Sequence, residues 1–314
     1  MDELSLQKVP FFFMIDFLSE NVQVYRENEI EKSGLLIDFQ SFSNAEQKHN
    51  LNKNIEWEAF PETLESFKAG FDKVQKNIHL GNSYLTNYTR KTEVKTNLSL
   101  EEIFYHSIAK YKVFCKDFFV FFSPETFVKI IDGKILTYPM KGTIDASLEN
   151  AAEVLKNDKK EKAEHYTVVD LLRNDLSMVA DHVKVDQFQH IELIRTQQKD
   201  LYAMSSEISG ILKPEFAGKV GSIMKRLLPA GSILGAPKPK TLEIILEAEG
   251  YDRGYYTGVC GRFDGENLDS CVMIRFIEKE EDRLYFKSGG GITHMSKLED
   301  EYQEMKNKIY VPIH

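Results

Sequence analysis

Cysteine is scarce in this chain. Only Cys115, Cys260 and Cys271 occur among 314 residues, and no two form a C-x-x-C pair. Structural zinc spacing is therefore absent, and an odd, low count fits a reducing compartment. Long hydrophobic runs are also missing. The apolar run over residues 9–18 is short and contains Asp16, so it reads as a buried strand rather than a membrane or targeting segment. The start, Met1, Asp2, Glu3, is acidic where a signal peptide would be basic. A cytoplasmic protein with no membrane partner is the expectation. An excess of positive charge is lacking too: 40 Lys and Arg stand against 49 Asp and Glu, a net charge of −9. Such a surface repels phosphate, which argues against a nucleic-acid partner. The lysines of residues 156–162 are interleaved with acids and read as a solvated helix face.

Several motifs fail by a small margin. Residues 231–238 look like a phosphate loop, but only three residues separate Gly231 from Gly235 where four are needed. Pro237 also removes a backbone donor there. Gly289, Gly290 and Gly291 do not form G-x-G-x-x-G, and no G-x-S-x-G or H-E-x-x-H occurs. Cys260 reads as a small buried strand residue rather than a nucleophile. No period of 20–50 residues repeats, so a solenoid is excluded.

The composition, 42% hydrophobic and 28% charged, suits one large domain or two small ones with a sizeable core. Strand-like runs fall at residues 10–15, 34–39, 83–88 and 113–122, and a hairpin at 127–138 turns at Asp132 and Gly133. Further strands fall at 258–263, 270–277 and 283–288. Helical spacing marks 63–80, 149–180, 215–228, 238–249 and 298–309. The polar stretch 41–54 is the best candidate for a linker. Mixed helices and strands predict an α/β or α+β architecture. The domain boundary is expected near residue 60, with a short N-terminal region (1–60) packing on a catalytic domain (61–314).

Two acidic pairs share one spacing. Glu161 and Glu164 lie three apart, as do Glu301 and Glu304, and each pair would project from one helix face. The spacing fits two solvated acidic faces. From spacing alone that reading is favoured over a hard divalent cation, although magnesium typically takes one or two carboxylates plus substrate oxygens.

Six stretches give these residues a context: 163–175, 229–238, 253–258, Ile274 with Arg275, 288–292 and 301–308. Their order and spacing resemble the chorismate-binding family over roughly residues 61–310. That family includes the anthranilate, aminodeoxychorismate, isochorismate and salicylate synthases. The resemblance implies a two-sheet β-sandwich core flanked by helices. It implies that Glu164 and Glu304 hold Mg2+, with Glu161 and Glu301 beside them. Tyr256 and Arg275 match positions that hold the enolpyruvyl carboxylate, a task suited to the planar fork of arginine. Gly289, Gly290 and Gly291 match glycines whose backbone approaches a substrate carboxylate, and Gly142 and Thr143 fall in a further substrate-contacting motif.

The branch is read from three positions. Lys141 stands where anthranilate-forming members usually carry Ala and aminodeoxychorismate-forming members carry Lys. Leu85 stands where water-using members place an activating Lys. Glu125 matches the general acid/base position, able to protonate the departing C4 hydroxyl. The resemblance thus implies amination of chorismate by ammonia to 4-amino-4-deoxychorismate, for 4-aminobenzoate and folate synthesis. Lys141 would be the covalent nucleophile or, alternatively, a charge partner for a chorismate carboxylate without a covalent step. A free lysine, with a pKa of roughly 10.4, is neutral on the order of one time in a thousand at pH 7, so its site must favour the neutral form. No glutamine-hydrolysing Cys/His set is present, so a separate glutamine amidotransferase subunit would supply ammonia. Anthranilate synthesis, or chorismate binding without turnover, are the alternatives. Three departures stand out: Leu85 for a common Gln, Leu234 for Thr or Ser, and Ala203 where a His is frequent. The short N-terminal portion predicts no tryptophan feedback.

Overall fold

The structure, a computed structural model, describes residues 1–45, 53–194 and 200–313, without the side chains of Thr143, Lys160 and Ile194. Among these residues lie two antiparallel sheets of nine strands each. Met140–Asp145 forms one edge of the first sheet. Next come Leu201–Leu212, Lys134–Thr137, Thr126–Ile131, Leu268–Val272, Val259–Phe263, Phe11–Ile15 and Val22–Arg26, with Ala180–Ile194 also pairing with Leu201–Leu212. The second sheet runs from Gly235–Ala236 through Leu85–Thr96, Arg283–Ile292, Phe276–Glu280, Phe119–Ser123, Tyr111–Cys115 and Leu35–Phe39 to Phe42–Ser43. Trp57–Phe60 pairs with Leu85–Thr96 on its other side.

The central strands are buried on both faces, which explains their unbroken apolar runs. In Phe11–Ile15, Phe12 and Met14 point into the layer between the sheets, while Phe11, Phe13 and Ile15 meet the helices outside. Phe119 and Phe121 likewise join the inter-sheet layer, and Val120 and Phe122 face the opposite way. Helices cover both outer faces. Lys159–Ser177 and Val220–Leu227 pack on the first sheet through Val168, Val169, Leu172, Ile223 and Met224. Leu64–His79, Leu100–His106 and Leu298–Asn307 pack on the second through Phe67, Val74, Ile103 and Met305. The architecture is the expected two-sheet sandwich flanked by helices.

The first sixty residues supply strands to both sheets. Phe11–Ile15 lies between Val259–Phe263 and Val22–Arg26, and Leu35–Phe39 pairs with Tyr111–Cys115. Within the predicted linker, residues 46–52 lie outside the described residues.

Three of the differences from the expected boundaries have a clear local reason. The single strand over 113–122 is two, because Asp117 adopts a left-handed φ of 59° and turns the chain. The helix over 149–180 is two, because the Asp158 side chain accepts from the Glu161 N–H and starts a second helix. The strand over 270–277 leaves one sheet for the other: Leu268–Val272 belongs to the first and Phe276–Glu280 to the second.

Candidate active site

That crossing between sheets builds one wall of a cavity of ≈ 120 Å³. Arg275 and Thr257 line it, and both are non-glycine residues with left-handed φ, 55° and 62°. A β-branched residue there is a true backbone outlier, and such strain clusters at functional sites. The Thr257 N–H donates to the Met273 carbonyl at 2.7 Å, which holds the turn against the crossing. Arg275 donates from Nη1 to the Lys308 carbonyl at 3.2 Å and lies over the Tyr310 ring. Tyr256, buried beside it, has its phenol pushed far above the ordinary value by burial, so it stays a hydrogen-bond donor.

The second sheet supplies the glycine wall. Gly289, Gly290 and Gly291 pair with Thr89, Tyr88 and Asn87. A Cβ at Gly290 would sit 3.0 Å from Glu304 Oε1 and 3.4 Å from Glu301 Oε2. The last acidic pair therefore converges where a side chain is missing. A Cβ at Gly291 would sit 2.9 Å from Leu85 Cδ1 and 3.8 Å from Lys141 Nζ.

Lys141 comes from the edge strand of the first sheet. It pairs with Met204, whereas Thr143 pairs with Ala203, so Gly142 is the extra residue of a bulge. Gly142 takes a φ of 74°, which only glycine adopts without strain. The site at which its Cβ would stand lies 2.8 Å from Glu161 Oε2, so Glu161 approaches beside Lys141. The bulge re-aims the lysine and makes room for the carboxylate together.

Glu125 occupies the link between Phe119–Ser123 and Thr126–Ile131. Its N–H donates to Ser123 Oγ at 3.1 Å and its carbonyl accepts from Val272 at 3.2 Å. Its Oε1 accepts from Ser232 Oγ at 2.6 Å. Burial raises the Glu125 carboxyl above the usual range, against the opposing pull of Ser232, Lys141 and Lys308. A shift in that direction makes the carboxyl a better proton carrier, which is what a general-acid step requires.

The cavity thus gathers Glu125, Lys141, Tyr256, Arg275 and the three glycines. Gly142 stands one residue behind Lys141, and the Thr143 side chain lies outside the description. Asn87, Ser232, Thr257 and Lys308 also line the cavity without having been predicted in it. Lys308 could have been found, because it follows Glu304 by four residues on one helix face. It donates to Glu304 Oε1 and to the Gly289 carbonyl, each at 2.7 Å, and burial lowers its pKa from the ordinary lysine value. His165 is a second omission. Its Nε2 pairs with Ser206 Oγ at 2.7 Å, and burial first, then His190 and Lys141, brings it down to about 4. It is therefore neutral at pH 7.

The acidic pairs present hard oxygen donors, and the missing Cβ of Gly290 leaves room for one of them. Among the described residues, no three His, Cys, Asp or Glu gather closely enough to hold an ion on protein ligands alone. A cation taking one or two carboxylates and completing its shell with substrate oxygens fits that donor set. No helix of the described residues is long and apolar enough to cross a membrane.

Two sheets thus close on a small cavity lined by cationic side chains, glycines and a buried carboxyl. The chorismate binding enzyme family matches residues 12–314, and the chain belongs to it. It is 48% identical over 308 residues to an uncharacterized PabA-like protein of Pasteurella multocida, covering 98% of this chain and 95% of that one. A PabA-like protein of Haemophilus influenzae is 47% identical, with 98% and 93% covered. Among solved structures, anthranilate synthase component I from Streptococcus pneumoniae superposes with a TM-score of 0.67 at 26% identity, over 82% of this chain and 59% of that one. The menaquinone-specific isochorismate synthase MenF of Escherichia coli shares the fold at a TM-score of 0.71 and 16% identity, over 98% and 78%.

Proposed function

We propose that this chain is the chorismate-aminating component of an aminodeoxychorismate synthase, forming 4-amino-4-deoxychorismate for 4-aminobenzoate and folate synthesis. The observation that carries the reading is the pairing of Lys141 with Leu85 at Gly291, with Glu125 in the same cavity. An amine reaches the cavity, while the neighbouring position that would have to activate water is a hydrocarbon.

Arg275, Tyr256 and Lys308 suit the two carboxylates of chorismate, since each offers N–H or O–H donors to the same small space. Glu164 and Glu304, with Glu161 and Glu301 beside them, would hold a magnesium ion. Bound there, the ion would neutralise the ring carboxylate. Lys141 Nζ, as the free amine, adds to C2; both ring double bonds shift by one position, and the C4–O bond breaks. Glu125 gives its proton to that oxygen, which leaves as water. Ammonia then adds at C4, the C2–Nζ bond breaks, and the Glu125 carboxylate takes up a proton from the incoming nitrogen. Chorismate and ammonia become 4-amino-4-deoxychorismate and water, with configuration at C4 retained. A separate glutamine amidotransferase subunit would deliver the ammonia, and loss of pyruvate would fall to another enzyme.

The test is a product assay with chorismate, ammonium and magnesium. 4-Aminobenzoate appearing only after a lyase is added supports the reading. Fluorescent anthranilate without lyase would replace it with anthranilate synthesis, and no product with either would leave a binding subunit.

A further inference from the structure

Glu125 has two carboxyl oxygens, and the fold treats them differently. Oε1 accepts from Ser232 Oγ at 2.6 Å. Ser232 sits on the short helix Gly231–Leu234, whose placement is tightly constrained. A Cβ on Gly231 would stand 2.7 Å from Asp175 Oδ2 and 3.0 Å from Leu171 Cγ, so the helix is pressed against Lys159–Ser177. Asp175 accepts from the Gly231 backbone and pairs with Lys238 Nζ at 2.8 Å. Lys238 in turn donates to the Leu227 carbonyl at 2.7 Å. This chain of contacts fixes Ser232, and through it one oxygen of the buried acid.

We infer that Ser232 is a positioning residue: its hydroxyl occupies Oε1 of Glu125, so that the transferable proton resides on Oε2. The inference rests on the reading of Glu125 as the proton donor. A carboxylic acid transfers its proton well only when the O–H points at the departing oxygen. A donor fixed on Oε1 makes that oxygen a poor place for the proton and stops the carboxyl from flipping. The same hydroxyl stabilises the carboxylate left after transfer, because hydrogen bonds to charged groups are the stronger kind. Asp175 lies on the helix that also carries Glu161 and Glu164, so one rigid element sets both the acid's orientation and an acidic pair.

Ser232→Thr and Ser232→Val form an isosteric pair that differs only in the hydroxyl. Both are assayed with the whole chain, chorismate, ammonium and magnesium, across pH, beside the wild type and Glu125→Gln. Ser232→Val is expected to lower kcat by about tenfold, the scale of one charge-assisted hydrogen bond, with KM for chorismate changed less than about twofold. Its alkaline limb moves to higher pH, because the carboxylate has lost a donor. Ser232→Thr restores the wild-type limb. Adding Ser232→Val to Glu125→Gln brings no further loss. A Val variant with the wild-type kcat and limb overturns the inference, and so does an equal loss in the Glu125→Gln background. If Glu125→Gln itself turns over normally, the proton-donor reading has failed instead. Should the Val variant not fold, Ser232→Ala takes its place with the same expected limb shift.

Discussion

Lys141 and Leu85 meet at Gly291: Leu85 Cδ1 lies 2.9 Å, and Lys141 Nζ 3.8 Å, from the point where a Gly291 Cβ would stand. The lysine comes from the edge of the first sheet and the leucine from the second, so the missing methyl is what lets amine and hydrocarbon share one space. Gly291→Ala must push Leu85 aside or crowd the substrate. It is expected to cut amination about fivefold or more, on the scale of about 1–3 kcal/mol for overpacking. Circular dichroism should stay unchanged. Activity equal to wild type would show that the gap is not used.

Lys141→Ala tests the covalent step. Turnover should vanish while fold and chorismate binding persist, and Lys141→Arg should not rescue it, since a guanidinium stays protonated. Brief reaction of the wild type without ammonium, followed by denaturation and intact-mass measurement, should show an adduct on Lys141. Normal amination by the alanine variant would reject lysine catalysis altogether.

The raised Glu125 carboxyl predicts how stability follows pH. Its folded pKa exceeds the unfolded value, so the folded state binds the extra proton between the two. This contribution is fully present below the unfolded value and is lost as pH rises through the folded one. Glu125→Gln lacks the titration, so its thermal midpoint should gain on the wild type as pH rises through that window. A constant difference between the two proteins across pH would contradict the burial argument.

Removal of divalent cations with a chelator should abolish turnover, and added magnesium should restore it. Glu304→Gln should raise the magnesium concentration needed for half activity by about tenfold or more, the lower end of what ligand-shell changes cost. Chorismate turnover unaffected by chelator would remove the metal from the reading.

At the cavity wall, Lys287 Nζ and Glu278 Oε2 form a buried pair at 2.6 Å, and Lys287 also donates to the Arg253 carbonyl at 3.0 Å. Lys287→Met strands a buried carboxylate and should cost about 3–5 kcal/mol in denaturant unfolding. Replacing Glu278 by Gln in the same chain should recover part of that loss. A single variant as stable as wild type would mean that solvent reaches the pair.

Much of the architecture was legible because it is written in local periodicity. Helix Lys238–Glu249 has the bounds its spacing predicts, and strand Phe11–Ile15 differs from its prediction by one residue. The run 270–277 was misread for a physical reason. Both sheets bury the same inter-sheet layer, so apolar residues continue through the crossing and only the left-handed φ of Arg275 marks it.

The order of motifs in the sequence was enough to name the family and to point at Lys141, Glu125 and the acidic pairs. Residue types carry that information, because an amine, a carboxyl and a bare glycine each have few chemical uses. Tertiary structure alone decided which groups meet. Ser232 and Glu125 are 107 residues apart, and Leu85 and Lys141 belong to different sheets. Lys141 acquires its aim from a bulge whose register depends on the strand 201–212. Burial, strand register and the crossing between sheets are properties of the packed chain, and no local window of sequence contains them.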